Sequence, residues 1–278
     1  FTVLLAVFAD DTAAYFVGVK QLRDATGAGM MACKQALQES DGDLEAARTL
    51  LRERGIAQAG KRADRATNEG KVGYLQTDER VTMVAVGCET EPVSNNDDFM
   101  AWAKNVLLAV EERGLEALTE LEDERVELIA KLGENIIVTG AERYDAGAGE
   151  ILGAYAHPPA NKIGVVVKLR GGTPELARQL AMHISFAAPT WITKDDVPTE
   201  SVEAERQIYL NSDELAGKPE GAKEKIVEGM LAKRFFAAQP GGALTEQPWI
   251  HESSQTVGEA LAAGGATVVA FRRLTVAE

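Results

Sequence analysis

The segment Leu22–Leu37, LRDATGAGMMACKQAL, constrains the fold of this chain more than any other stretch. Gly27 and Gly29 stand between two runs of helical apolar spacing. Glycine reaches positive φ without steric cost, so the pair can end one helix and start the next within a few residues. Thr26 is placed to cap the helix that follows. Met30, Cys33 and Leu37 recur at i, i+3 and i+7 and give that helix one apolar stripe. A second turn, Asp41-Gly42-Asp43, launches a helix with Leu44, Ala47 and Leu51 on one face, and Val19 and Leu22 mark a helix upstream. Three helices in about 40 residues lie near the lower size limit for an independent core. Such a unit tends to lean on something else.

The full 278 residues can hold two domains, or one core with appendages. The net charge of −14 argues against a nucleic-acid surface, because phosphate contacts need clustered Lys and Arg. The local basic run Lys61, Arg62 and Arg65 reads as a solvated helix face or linker. Cys33 and Cys88 lie far apart, each within an apolar pattern, and read as buried reduced thiols. The histidines at 157, 183 and 251 have no neighbours at metal-ligand spacing, so no metal site is expected. Residues 1–9, FTVLLAVFA, are apolar but lack a basic flank and are too short to span a bilayer. Nothing in the pattern calls for a membrane or an oxidising compartment, and a cytoplasmic protein is expected.

Beyond the three-helix unit, the polar stretch Gly60–Gly70 reads as a linker. GKVGYLQTDERVTMVAVGC then reads as two strands around Thr77–Arg80, the second rich in Val and alternating. Asn96–Glu111 has Phe99, Trp102, Val106 and Val110 on one helical face. Glu122–Leu132 is a second helix, with Val126, Ile129 and Ala130 inward, stopped by Gly133. Asn135–Ala141 returns as a strand. The order then recurs: strands at Glu150–His157 and Lys162–Leu169, a helix at Pro174–Ala187, a short helix near Thr256–Ala262 and a strand at Ala266–Leu274. Each half reads β-β-α and then α-β, which predicts two antiparallel sheets covered by helices.

Between Val197 and Pro240 the second half carries an insertion. Thr199–Ala216 and Glu220–Phe235 are charged helical stretches joined at Gly217-Lys218-Pro219, where Pro219 suits a first helical turn. Val202, Ile208 and Leu215 are placed to face Ala222, Ile226 and Met230 across an antiparallel hairpin. The stripe is narrow, as in a coiled coil.

No GxxxxGK[ST], GxGxxG, GxSxG or HExxH motif occurs, so no cofactor is expected and the chain does not read as an enzyme. Several segments nevertheless carry a resemblance in register. GAGMMACKQAL, DGDLEAARTLLRERG, KLGENI at Lys131–Ile136, KIGVVVKLRG and LAMHISFAAP at Leu180–Pro189 are joined by GKPE, KIVEGMLAK at Lys225–Lys233, TEQPWI at Thr245–Ile250 and TVGEAL. Together, from about Val17 to Leu274, they resemble the bacterial elongation factor Ts family, guanine-nucleotide exchange factors for the GTPase elongation factor Tu. Residues 1–14 match no family segment, and the extra C-terminal helix of some members has no counterpart.

The resemblance implies an α+β fold: a ubiquitin-associated-like three-helix domain at 15–57, a linker at 58–70, a core N-subdomain at 71–149 and a core C-subdomain at 150–278. The coiled-coil hairpin is inserted in the last at about 197–240 and is a candidate homodimer contact. It also implies a mechanism, in which a loop that usually reads Thr-Asp-Phe-Val wedges near the partner's Mg²⁺ and phosphates so that GDP leaves. The corresponding residues are Thr90, Glu91, Pro92 and Val93. Glu91 keeps the acidic type, Pro92 replaces the aromatic wedge, and Asn95 stands where Lys is usual. Burying a Phe is worth about 1.5–3 kcal/mol. Its loss therefore lowers exchange by about one to two decades, which leaves a binding or chaperone-like partner of elongation factor Tu as the alternative function. Lys34 resembles a lysine facing the partner's G domain, and His157 a contact to a partner helix. Met30 is either a partner-facing knob or, as its place in the apolar stripe favours, a core residue.

Overall fold

The computed structural model describes residues 17–277. The expectations for residues 1–14, and the first two residues of the 15–57 domain, lie outside the described residues. The chain forms two compact units. The first holds the residues through Lys71, Val86–Thr139 and the chain end from Val276; the second holds Val72–Ala85 and Gly140–Thr275.

In the first unit, helices α1 (17–26), α2 (Met30–Glu39) and α3 (Leu44–Arg62) enclose a core of Val19, Leu22, Cys33, Ala36, Leu37, Ala47 and Leu51. Gly27 ends α1 at φ +67°, but Gly29 precedes α2 in an extended conformation at φ −61°. Thr26 does not cap α2. Its hydroxyl donates back to Leu22 O at 2.7 Å and accepts from the Ala28 N–H, so it closes the end of α1 instead. Asp43 does cap α3, accepting from the Glu45 and Ala46 N–H groups. That helix runs on through Arg62, so only 63–68 of the expected linker separate it from the first strand.

Strands β1 (Glu69–Gln76) and β2 (Arg80–Cys88) form a hairpin closed by the Thr77 N–H on Arg80 O at 2.8 Å. A one-turn helix α4 (Glu91–Ser94), α5 (Asp97–Arg113), a one-turn α6 (Ala117–Glu120) and α7 (Glu122–Leu132) follow. The chain then returns as β3 (Ile136–Asp145), giving a sheet of order β1-β2-β3. Asn96 caps α5, and Phe99, Trp102, Val106 and Val110 are buried on its inner face. Gly133, in the left-handed conformation, stops α7. The expected alternation of β2 does not hold, because every residue from Val81 to Cys88 is buried. A central strand covered on both faces has no solvated side to make polar.

The three-helix unit leans on α7. Gly55 of α3 lies so close to Ala130 that a Cβ there would stand 3.2 Å from the alanine methyl. An exposed Arg52–Asp123 pair at 2.6 Å borders the contact and adds little beyond orientation.

In the second unit, β4 (Glu150–Ala156), β5 (Ile163–Gly171) and β6 (Ala266–Thr275) form an antiparallel sheet with β5 central, Tyr155 opposite Val165 and Val167 opposite Phe271. Val72 and Met83 press on Gly164, and Leu274 presses on Gly140, so this part of the β1-β2-β3 sheet packs face to face on β4-β5-β6. That packing groups Val72–Ala85 with the C-terminal elements, and the boundary between units differs from the expected 149/150 division for this reason. Helix α8 (Pro174–Ala187) covers β4 and β5 through Ala177, Leu180, Ala181 and Ile184, and α11 (Val257–Ala263) closes the same core.

The insertion folds as α9 (Thr199–Leu210) and α10 (Glu220–Met230), with a π-helical turn at Leu231–Phe236. Tyr209, Leu215, Val227, Met230 and Leu231 form its core. Ile208, expected inside, is 61% exposed and the adjacent Tyr209 only 9%. The chain breaks at Asn211 into a short 3₁₀ turn, so α9 ends a full turn before the stripe predicted. At the base of the hairpin, buried His183 donates from Nε2 to Gln247 Oε1 at 3.0 Å and stacks on Trp249. The Gln247 amide in turn donates to the Ala238 and Gly241 carbonyls just beyond the hairpin.

Two expectations follow. A methyl group at Gly153 would meet the Ala177 backbone at 2.7–2.8 Å, so Gly153→Ala should lower unfolding free energy by about 1–3 kcal/mol, read by urea denaturation. Burial holds the His183 pKa below its ordinary 6.5. Between those two values the unfolded chain binds the proton and the folded chain does not, so stability must fall as pH drops below about 6.5. His183→Asn should abolish that part of the slope; an unchanged slope would show that the other titrating groups carry it.

Candidate partner-binding site

The exposed turn at Thr90–Val93 begins where the buried strand β2 ends. Cys88, the last strand residue, is fully buried, and its thiol donates to Thr90 O at 3.3 Å. Burial and then the Glu134 charge push the Cys88 thiol up to about 12. Thr90 occupies the N-cap of α4 in an extended conformation, yet its hydroxyl accepts no bond from that helix. It donates to Glu134 Oε1 at 2.5 Å. Glu134 Oε2 accepts the N–H groups of Glu89 and Thr90 at 3.1 and 3.0 Å. In return, Glu89 Oε1 accepts the Asn135 N–H at 2.7 Å, and the buried Asn135 amide donates to the Ala63 and Arg65 carbonyls.

The segment expected as a loop is thus a single helical turn. Glu91 and Pro92 are exposed, and Val93 is half-buried. Ser94 donates to Glu91 O at 2.8 Å, and the Asn95 side chain donates to the same carbonyl at 3.1 Å. Proline falls within the first two positions of this turn, where an N–H has no intrahelical acceptor, so it costs the turn no bond.

On α2, Met30 and Met31 are 57% and 63% exposed. The core expectation for Met30 is corrected: the buried stripe is Cys33, Ala36 and Leu37, and Met30, the first residue after Gly29, points away from it. Lys34 is exposed four residues on, so it shares the outer face with Met30. His157 directly follows β4 in the second unit. Its N–H donates to Ile163 O, and its Nδ1 lies 3.0 Å from Tyr155 Oη. The ring is therefore oriented by its own hairpin and remains exposed. Met30, Lys34 and the Thr90–Val93 turn belong to the first unit, His157 to the second.

Sequence reasoning passed over Glu134 and Asn135 as individual residues. Their only local signal is the pair Glu-Asn directly after the helix-stopping Gly133. Of the basic run, Arg62 donates to Ile129 O and Arg65 pairs with Glu89 at 3.4 Å, so both are engaged within the fold. Among the described residues, no group of three or more His, Cys, Asp or Glu could hold a metal, and no helix is long and apolar enough to cross a membrane.

The features that stand out at these positions are an acidic braced turn and an outward Met-Lys helix face. The class the fold defines is α+β, with two small three-stranded sheets and helices. A family profile described as Elongation factor TS matches residues 89–278. The elongation factor Ts of Alkalilimnicola ehrlichii is 41% identical over 272 residues, covering 94% of this chain and 91% of the relative. That of Idiomarina loihiensis is 41% identical over 270 residues, covering 94% and 90%. That of Xanthomonas oryzae pv. oryzae is 38% identical over 273 residues, covering 94% and 91%. The chain belongs to the elongation factor Ts family.

Both cysteines are buried and free, and burial raises both thiols. The folded protein should leave Cys33 and Cys88 unmodified by Ellman's reagent at pH 8 over minutes, and both should react once it is unfolded in guanidinium. Prompt reaction of a thiol in the folded protein would contradict the burial.

Proposed function

We propose that this chain is a guanine-nucleotide exchange factor acting on elongation factor Tu in translation elongation, working in the cytoplasm and doing no covalent chemistry of its own. The observation that carries the reading is the exposed acidic turn Thr90–Val93, braced at the end of a wholly buried strand, in a chain of the elongation factor Ts family. A protruding Glu91 beside a partner's Mg²⁺ and phosphates competes with that coordination, and a rigid turn resists being pushed back. Met30 and Lys34 on α2, and His157 directly after β4, supply contacts that hold the partner while this occurs.

Thermodynamics fixes what these surfaces must achieve. The factor must bind the nucleotide-free partner more tightly than the GDP-bound one, and GTP then displaces the factor by the same coupling. Contacts that favour both states equally give affinity without exchange. Docking is therefore assigned to α2 and His157, and release to the turn.

The test loads elongation factor Tu with fluorescent GDP, adds the protein in sub-stoichiometric amount and follows fluorescence loss. Catalytic release is expected. Complex formation with unchanged release would leave a binding or chaperone-like role in its place. Pro92→Phe should raise the release rate by about tenfold or more, from the apolar area an aromatic ring adds to the contact. No gain would discard the wedge argument at this position.

A further inference from the structure

We infer that Glu134 is a positioning residue for exchange: its carboxylate fixes the direction in which the Thr90–Val93 turn projects. The inference rests on the exchange reading above and adds the part of the fold that resists the push.

Two observations carry it independently. First, Thr90 stands at an N-cap but gives up the usual capping bond, and its hydroxyl goes to Glu134 Oε1 instead. Second, the Glu89 and Thr90 N–H groups, next in chain after β2, both converge on Glu134 Oε2. One carboxylate therefore takes three donors from a segment 44–45 residues away. Bonds to an ionised acceptor are the strong kind. Beyond Thr90, the bonds at Glu91 O come from within the turn and its next residue, so they hold its shape but not its aim.

The brace is itself anchored. Gly133 ends α7 immediately before Glu134, and Asn135 immediately after it is buried and tied to Glu89, Ala63 and Arg65. A force on the turn therefore passes through Thr90 into the α7–β3 junction rather than bending the chain at the strand end. A turn freed from Glu134 still reaches the partner, but it yields where it should displace. Loss of the brace should lower the turnover number of exchange more than the apparent affinity.

Full-length Glu134→Gln, Thr90→Val, Thr90→Ser and the double variant Glu134→Gln/Thr90→Val separate this role from a merely structural one. Gln keeps the size and one acceptor oxygen, but it loses the charge and cannot accept the two N–H groups and the Thr90 hydroxyl together. In the fluorescent-GDP assay, Glu134→Gln and Thr90→Val should each lower kcat about tenfold with KM changed less than about threefold, and the double variant should be no worse than about twofold below the weaker single. Thr90→Ser should recover most of what Val loses. Amide hydrogen exchange at Thr90 in the free protein should quicken about tenfold in Glu134→Gln. Full kcat in Glu134→Gln overturns the inference, as do parallel losses in kcat, affinity and melting temperature, or unchanged Thr90 protection. A wild-type chain that releases no GDP refutes the exchange reading and the positioning role with it. Active wild type with unaffected variants refutes the positioning role alone.

Discussion

The structure depends on the burial of β2 along eight consecutive residues, Val81–Cys88. Its first part belongs to the unit containing β4–β6, and Val86–Cys88 to the unit containing α1–α7. A strand covered on both faces tolerates little beside it. At Gly70, where β1 crosses the end of β2 at φ +143°, a Cβ would stand 2.0 Å from Val86 O; at Gly87 it would meet Val276 O and the Thr67 hydroxyl. Both glycines are therefore demanded by close approach. A strand so enclosed has one direction in which to leave the core, and it emerges at Glu89 and Thr90, where the acidic turn begins. The position of the candidate site is in this sense a consequence of packing.

The two halves share an order: two strands, helices and a returning strand, with sheet orders β1-β2-β3 and β4-β5-β6. That order was legible in the sequence because each element carries a local signature. Asn96 marks one helix start, Gly133 one helix stop, and Pro174 follows the Thr173 cap of another. The division into units was less legible because it is set by sheet faces meeting at Gly164 and Gly140, and no local pattern reports which faces meet. The individual misses have local causes. Met30 fits the apolar spacing of α2 yet is exposed, since it is the first residue of the helix and the buried stripe begins only at Cys33. Ile208 gave way to Tyr209 because α9 ends at Leu210 and the stripe does not continue.

The candidate site divides along the same line. Thr90–Val93 could be placed from family resemblance, because those residues stand in a fixed position after a strand. What holds them could not. Glu134 is 44 residues away from Thr90, and nothing in KLGENI marks its carboxylate as an acceptor for a distant turn. Charge is subject to the same limit. A net of −14 speaks against phosphate binding, but only the structure commits Arg62 and Arg65 to internal partners.

If the turn acts as proposed, the energetic question there is whether Pro92 can substitute for an aromatic anchor. Full burial of a Phe contributes about 1.5–3 kcal/mol. Proline at a compatible position contributes about 0.4–1 kcal/mol, and it does so by limiting the unfolded chain or, in a docking turn, the freedom lost on binding. Rigidity alone therefore leaves a shortfall of about 1–2 kcal/mol, or roughly one decade in rate. The shortfall cannot be offset at α2 or His157, because a contact that holds the GDP-bound and empty partner equally shifts no equilibrium between them. On the proposed exchange reading, compensation has to come from groups that would engage only as the metal site opens: Glu91, one methylene longer than the usual aspartate, and the half-buried Val93, both carried on a turn that the Glu134 brace already holds in the free chain. In the proposed mechanism, a longer acidic arm on a braced base is a coherent alternative to an aromatic wedge: it would trade apolar area for reach toward the cation, and reach is useful only if the base does not yield.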